Sequence, residues 1–174
     1  MLRYSKEPTA DILHEFECGI PIMDDYIHRE LNNRLRNDPG LSLYVVRDEA
    51  DAIVAMYVVS TGSFVDYDGE YAYLPQGKPW GYIDSEQKIR SGARYATLEI
   101  EYIAVRRDMR NKGYGSAIIK EIARTAKERA LYFLTLGAYH DASYSAIPFY
   151  EKLGFFALQE YSEKYDTLRM ALRV

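Results

Sequence analysis

Between Thr97 and Gly137 the sequence dictates a strand, a helix and a second strand in succession, and that order leaves few folds open. Leu98, Ile100, Tyr102 and Ala104 alternate with Glu99, Glu101, Ile103 and Val105, the period of two expected of a strand. Ile118, Ile119, Ile122, Ala123 and Ala126 then recur at helical spacing over about residues 116–129. Leu131 to Gly137 is short and strongly apolar, as a buried strand is. Strands joined through a helix pair in parallel, because a tight hairpin cannot return the chain to its starting end. Other segments demand hairpins. Leu43–Arg47 and Ile53–Val59 are β-rich and flank the turn Asp48-Glu49-Ala50-Asp51, and two final strands are expected at Phe155–Leu158 and Leu168–Leu172. A mixed sheet with helices on its faces, an α/β sandwich, satisfies both demands.

The remaining elements fill in around that frame. A helix is expected over residues 20–36, where Pro21 suits the first turn and Met23, Ile27, Leu31 and Leu35 form a stripe; Asn37-Asp38-Pro39-Gly40 stops it. A last helix is expected over residues 143–152, ended by Gly154. Residues 64–96 carry scattered glycines, prolines and tyrosines with Trp80, which reads as an ordered, packed loop inserted into one 174-residue domain. The 22 basic and 26 acidic residues give a net charge of −4, so a broad nucleic-acid surface is not expected. The one cysteine, Cys18, cannot form an internal disulfide or a cysteine-based zinc site, and reads as a small buried hydrophobe. With no signal-like start and no apolar run of membrane length, the chain reads as soluble and cytoplasmic, a monomer or homodimer.

The chemistry is concentrated between the strand and the helix. Val105-Arg106-Arg107-Asp108-Met109-Arg110-Asn111-Lys112-Gly113-Tyr114-Gly115-Ser116 leads into a helix N-terminus, where unpaired amides and the positive end of the dipole favour a phosphate. It lacks the Gly-Lys-Ser/Thr of a P-loop and the three-glycine dinucleotide fingerprint. Arg110-Asn111-Lys112-Gly113-Tyr114-Gly115 instead resembles the Arg/Gln-x-x-Gly-x-Gly/Ala signature of the GNAT superfamily of N-acetyltransferases. A second segment, Ser143 to Phe155, is similar to the family's Asn-x-x-Ala-x-x-Phe-Tyr-x-Lys-x-Gly-Phe stretch, with Ala146, Phe149, Tyr150, Lys152, Gly154 and Phe155 in register. Together the two motifs span about residues 97–158.

The resemblance implies a GNAT-like α/β/α sandwich with a mixed, mostly antiparallel sheet, splayed at its central parallel strands. It implies acetyl-CoA as cosubstrate, with no metal. The amides of Arg110, Asn111, Lys112, Gly113, Tyr114, Gly115 and Ser116 would hold the pyrophosphate, and the backbone of Ile103 and Val105 would pair with pantetheine. The N–H of Ile103 would polarise the thioester carbonyl. Ser143 stands where the family has an asparagine that bonds pantetheine, with a shorter reach. Tyr150 matches the family's usual acid for the leaving thiolate. Glu99 and Glu101, two apart on one strand, match positions where family members place a general base, with Glu99 preferred. His140, in a loop, is expected to be solvated.

The acceptor is less legible. Asp66, Asp68 and Glu70, interleaved with Tyr67, Tyr71 and Tyr73, suit a cationic amine, which points to a small-molecule or peptide amine. Phe16-Glu17-Cys18-Gly19-Ile20-Pro21-Ile22-Met23-Asp24-Asp25-Tyr26-Ile27 resembles the start of GNAT toxins that acetylate aminoacyl-tRNA, the alternative reading, although the acidic net charge makes a nucleic-acid partner unexpected. A non-catalytic acyl-CoA-binding module is a third, disfavoured by Tyr150 and the glutamate pair.

Overall fold

A computed structural model describes residues 2–67, 73–74, 78–79, 82–84, 87–88, 93–142, 144–158 and 166–174, with backbone alone for those between 61 and 95. Seven strands form one sheet in the order β1-β2-β3-β8-β9-β11-β10. They are β1 (Arg3–Glu7), β2 (Leu41–Arg47), β3 (Ile53–Tyr67), β8 (Ala93–Val105), β9 (Phe133–Tyr139), β10 (Phe156–Ala157) and β11 (Thr167–Arg173), while β4 (Tyr73–Leu74), β5 (Lys78–Pro79), β6 (Tyr82–Asp84) and β7 (Gln87–Lys88) form two separate pairs. The pairs β1–β2, β2–β3, β9–β11 and β10–β11 are antiparallel. Neighbours β8 and β9 are joined by helix α3 (Tyr114–Glu128), the crossover that a parallel pair requires, so the sheet is mixed as the sequence indicated.

The chain divides into two compact units, residues 1–61 with 100–122 and residues 62–99 with 123–174. In the first, Leu43 lies opposite Val58 and Val45 opposite Met56, all fully buried. They pack with Leu13, Ile27 and Leu31 in one apolar cluster, partly covered by Met23 and Leu35. The helix expected over 20–36 is interrupted: α1 (Pro21–Asp25) passes through a π turn (Tyr26–Glu30) into α2 (Leu31–Asn37). The physical reason is the four-residue stripe. At about 3.6 residues per turn such a stripe rotates off the core, and the wider π turn takes up the excess.

In the second unit β9 and β11 bury Leu134, Leu136 and Met170. Helix α4 (Ile147–Lys152) is shorter than expected. It ends where Gly154, at φ +89, donates to Glu151 O at 2.9 Å while Phe155 N–H returns to Tyr150 O at 3.1 Å, a Schellman closure.

Two further expectations change. β1 was not anticipated, because Arg3-Tyr4-Ser5-Lys6-Glu7 has no apolar alternation; it is an edge strand, where charge blunts unwanted pairing. The segment read as a loop over 64–96 continues β3 to Tyr67, begins β8 at Ala93 and holds two antiparallel hairpins, Tyr73–Leu74 with Lys78–Pro79 and Tyr82–Asp84 with Gln87–Lys88. These short strands escaped notice because each is two or three residues long.

Candidate active site

The glycine loop is rigid upstream and open downstream. Arg106 N–H donates to Val54 O at 2.8 Å, and its guanidinium holds Asp108 at 2.7 and 3.1 Å and Ile53 O at 2.9 Å. A short 3-10 turn, Arg107–Met109, follows. The backbone then takes left-handed values at Asn111 (φ +61) and Gly113 (φ +84), the handedness with which nests turn successive amides toward an anion. A Cβ built on Gly113 meets nothing within 4 Å. No amide from Arg110 to Ser116 donates to a backbone acceptor among the described residues; the first bond of α3 is Ala117 N–H to Gly113 O at 3.0 Å. A run of free donors at the start of a 15-residue helix, with Arg110 and Lys112 beside it, fits a diphosphate. Acetyl-CoA fits the residues present. Ile103 and Val105 end β8, half-buried.

The two candidate bases fare differently. Glu99 is buried, and both its oxygens are taken: Arg169 engages it bidentately, Nη2 reaching Oε2 at 2.6 Å, and Thr135 Oγ1 donates to Oε2 at 2.6 Å. The preference for Glu99 as an available base therefore gives way to a structural ion pair. Glu101 accepts from Ser60 Oγ at 2.9 Å and lies 3.6 Å from Arg34 Nη2, with a side chain 25% exposed. Arg34 also donates to Tyr26 Oη at 3.3 Å, and the Tyr26 ring stacks on Tyr102 at 3.8 Å. Arg34 and Ser60 were missed in the sequence, since nothing local marks a residue that approaches from another strand or helix.

Tyr150 is buried while its neighbour Phe149 is exposed. The Tyr150 ring packs edge-on to Phe149 and Phe155. Burial pushes its phenol far above the ordinary range, so the proton stays on at any physiological pH. His140, expected in solvent, is buried. Ser143, Asp68 and Glu70 lie outside the described residues, as does the side chain of Asp66.

Cys18 is buried as expected. Burial, with help from the hydrogen-bonded Asp24 carboxylate, pushes its thiol up to about 11. In the unfolded chain the thiol ionises nearer 9, so the stability it contributes is complete below that pH and lost as pH rises toward about 11. The folded protein should resist iodoacetamide at pH 8 and react only on unfolding. Denaturation midpoints should fall across that alkaline window, and a Cys18→Ala variant should fall less steeply.

Among the described residues no group of His, Cys, Asp and Glu is placed to hold a metal, and no helix is long and apolar enough to cross a membrane. A solved structure of a bacterial toxin is similar over 99% of this chain and 90% of its own, with a TM-score of 0.69 at 16% identity. A tyrosine mutant of the AtaT toxin, bound to the C-terminus of the antitoxin AtaR and acetyl-CoA, matches over 99% and 92%, with a TM-score of 0.63 at 15% identity. AtaT complexed with acetyl-methionyl-tRNAfMet matches over 97% and 94%, with a TM-score of 0.66 at 18% identity. At such identities the likeness is one of fold. No curated protein matches the chain. The model of the acetyltransferase (GNAT) family matches residues 13–155, the stretch that holds the glycine loop, both strand carboxylates and Tyr150. The chain belongs to the GNAT family of acetyltransferases.

Proposed function

We propose that this acetyltransferase moves the acetyl group of acetyl-CoA onto the α-amino group of an aminoacyl-tRNA. The observation that carries the reading is the engagement of both strand carboxylates. Glu99 is consumed by Arg169 and Thr135, and Glu101 is shared between Ser60 and Arg34. An alkylamine, which loses its proton near about 10.4, needs a strong, free base; an α-amine, which loses it near about 7.7–8.0, needs little help. Two further facts support the acceptor. The fold likeness to toxin acetyltransferases extends over 97–99% of this chain, one of them in complex with an acetylated aminoacyl-tRNA. Phe16–Ile27 also resembles the start of such toxins. A small-molecule or peptide amine thus becomes the lesser reading. The net charge of −4 weighs against a broad nucleic-acid footprint, not against a contact confined to the charged end of a tRNA.

Acetyl-CoA supplies the activated acyl group. The amides of Arg110–Ser116 hold its diphosphate at the N-terminus of α3. The backbone of Ile103 and Val105 orients the pantetheine arm, and the Ile103 N–H donates to the thioester carbonyl. Glu101, although shared with Ser60 and Arg34, suffices as a weak acceptor for the proton of an α-amine, directly or through one water. Tyr150 holds a proton at Oη for the departing sulfur; a phenol raised so far donates a hydrogen bond to the developing thiolate more readily than it gives the proton up.

The two glutamates separate in a paired experiment. Glu101→Gln should lower kcat/KM at pH 7 by about 10- to 100-fold, with part of the loss recovered as pH rises and solvent deprotonates the amine. Glu99→Gln should leave kcat/KM of the folded enzyme within a few-fold. It should instead cost about 1–3 kcal/mol of stability, below the figure for a fully buried pair because Arg169 is partly solvated. pH–rate profiles and denaturant titrations of the two variants check this.

The acceptor is tested in a cell-free translation extract. Enzyme plus acetyl-CoA should stop reporter synthesis, enzyme without acetyl-CoA should not, and added charged tRNA should delay the arrest. Unimpeded synthesis in an extract where the enzyme visibly consumes acetyl-CoA would refute the tRNA acceptor.

A further inference from the structure

The segment Glu17–Asp24 bears on the glycine loop rather than on the chemistry. Gly19 lies at φ +77, backbone that side chains rarely adopt. Asp24 reaches back to close this turn: Oδ1 accepts the N–H of Cys18 at 2.7 Å and Oδ2 the N–H of Gly19 at 2.9 Å. Both are charge-assisted bonds. The N–H groups of Met23 and Asp24 return to Ile20 O at 2.9 Å, so the turn is tied at both ends. Its outer edge meets Arg107. Glu17 O accepts the Arg107 N–H at 2.9 Å, and a Cβ on Gly19 would stand 3.0 Å from Arg107 Cδ and 3.1 Å from Cγ. Arg107 is thereby held by its amide and along its stem. Three residues later the chain enters Arg110–Ser116, whose amides have no backbone partner of their own to direct them.

We propose that Asp24 is a positioning residue for the acetyl-CoA loop. By pinning the Cys18–Gly19 turn against Arg107, it fixes the point and direction at which the backbone enters the run of free amides. The proposal rests on the reading that these amides hold the diphosphate. Donors fixed before the ligand arrives bind it without a further ordering cost, and a shift of about an ångström at the entry misdirects them together. The short sequence likeness to toxins within Phe16–Ile27 then includes a buttress of the cosubstrate site.

Asp24→Asn keeps the size of the side chain and removes one of its two acceptor oxygens. It should raise the Kd for CoA in calorimetry, and the KM for acetyl-CoA, about tenfold, while kcat at saturating acetyl-CoA stays within about twofold. Amide exchange over residues 106–116 should accelerate. A purely structural role would lower Tm without this split between KM and kcat. Gly19→Ala should weaken CoA binding by pushing on Arg107, and adding Arg107→Ala, which removes the struck atoms, should restore part of it. A folded Asp24→Asn protein with wild-type affinity for CoA would overturn the proposal. If Asp24→Asn does not fold, strictly additive effects of Gly19→Ala and Arg107→Ala on CoA affinity would overturn it. Gly113→Val serves as the separate control: a Gly113→Val protein that binds CoA normally would show that the loop reading had failed, whatever Asp24 does.

Discussion

Replacing Tyr150 by phenylalanine should lower kcat about 100-fold and leave the KM for acetyl-CoA nearly unchanged. The substitution deletes one hydroxyl from a buried ring that packs edge-on to Phe149 and Phe155, so packing survives. On the proposed mechanism, what is lost is a donor to charge that appears only as the thioester sulfur departs; such donors are worth about 10²–10³-fold in rate. An interaction absent from the ground state is not felt in binding, hence the steady KM. Because burial holds the phenol far above neutrality, the deficit should be flat from pH 6 to 9. This contrasts with Glu101→Gln, whose deficit shrinks as pH rises. A Tyr150→Phe enzyme with wild-type kcat, measured where chemistry limits turnover, would reduce Tyr150 to a packing residue.

Gly113→Val should abolish CoA binding in calorimetry, a rise in Kd of about 100-fold or more, while the protein remains folded. Two effects act together. Gly113 sits at φ +84, where a β-branched residue is strained. A Cβ built there meets nothing within 4 Å beyond its chain neighbours among the described residues, so the side chain grows into open space beside the amides proposed to hold the diphosphate. The strain alone costs about 1–3 kcal/mol, which lowers Tm without unfolding a domain of this size. Retained affinity would remove the loop from the cosubstrate site.

What the sequence made legible is local. The alternation in Thr97–Val105, the helical spacing after Gly115 and the turn chemistry of Asp48–Asp51 each lie within one element, and each element formed. The glycine loop was legible for the same reason, since left-handed backbone at Gly113 needs only that residue. The ion pair of Glu99 was not legible because its partners, Thr135 and Arg169, stand 36 and 70 residues further along the chain. No local pattern says that a strand carboxylate will be met by an arginine from β11. Adjacent aromatics on a six-residue helix are equally ambiguous, and only the packing against Phe155 decided for Tyr150 over Phe149. The stripe at Met23, Ile27, Leu31 and Leu35 gave the right buried face but not the π turn that keeps it buried. The task of Asp24 was hidden too: its bonds to Cys18 and Gly19 are short-range, but their purpose lies at Arg107.

The most direct measurement follows the acetyl group itself. The enzyme is incubated with radiolabelled acetyl-CoA and a mixture of charged tRNAs, deacylated tRNA, spermidine and a lysine-containing peptide. The RNA is then digested with nuclease and the labelled products are identified by mass spectrometry. The account predicts label in N-acetyl-aminoacyl-adenosine, released from the charged tRNAs alone and absent with Tyr150→Phe enzyme at equal times. Label found on spermidine or the peptide, with none on charged tRNA, would contradict it.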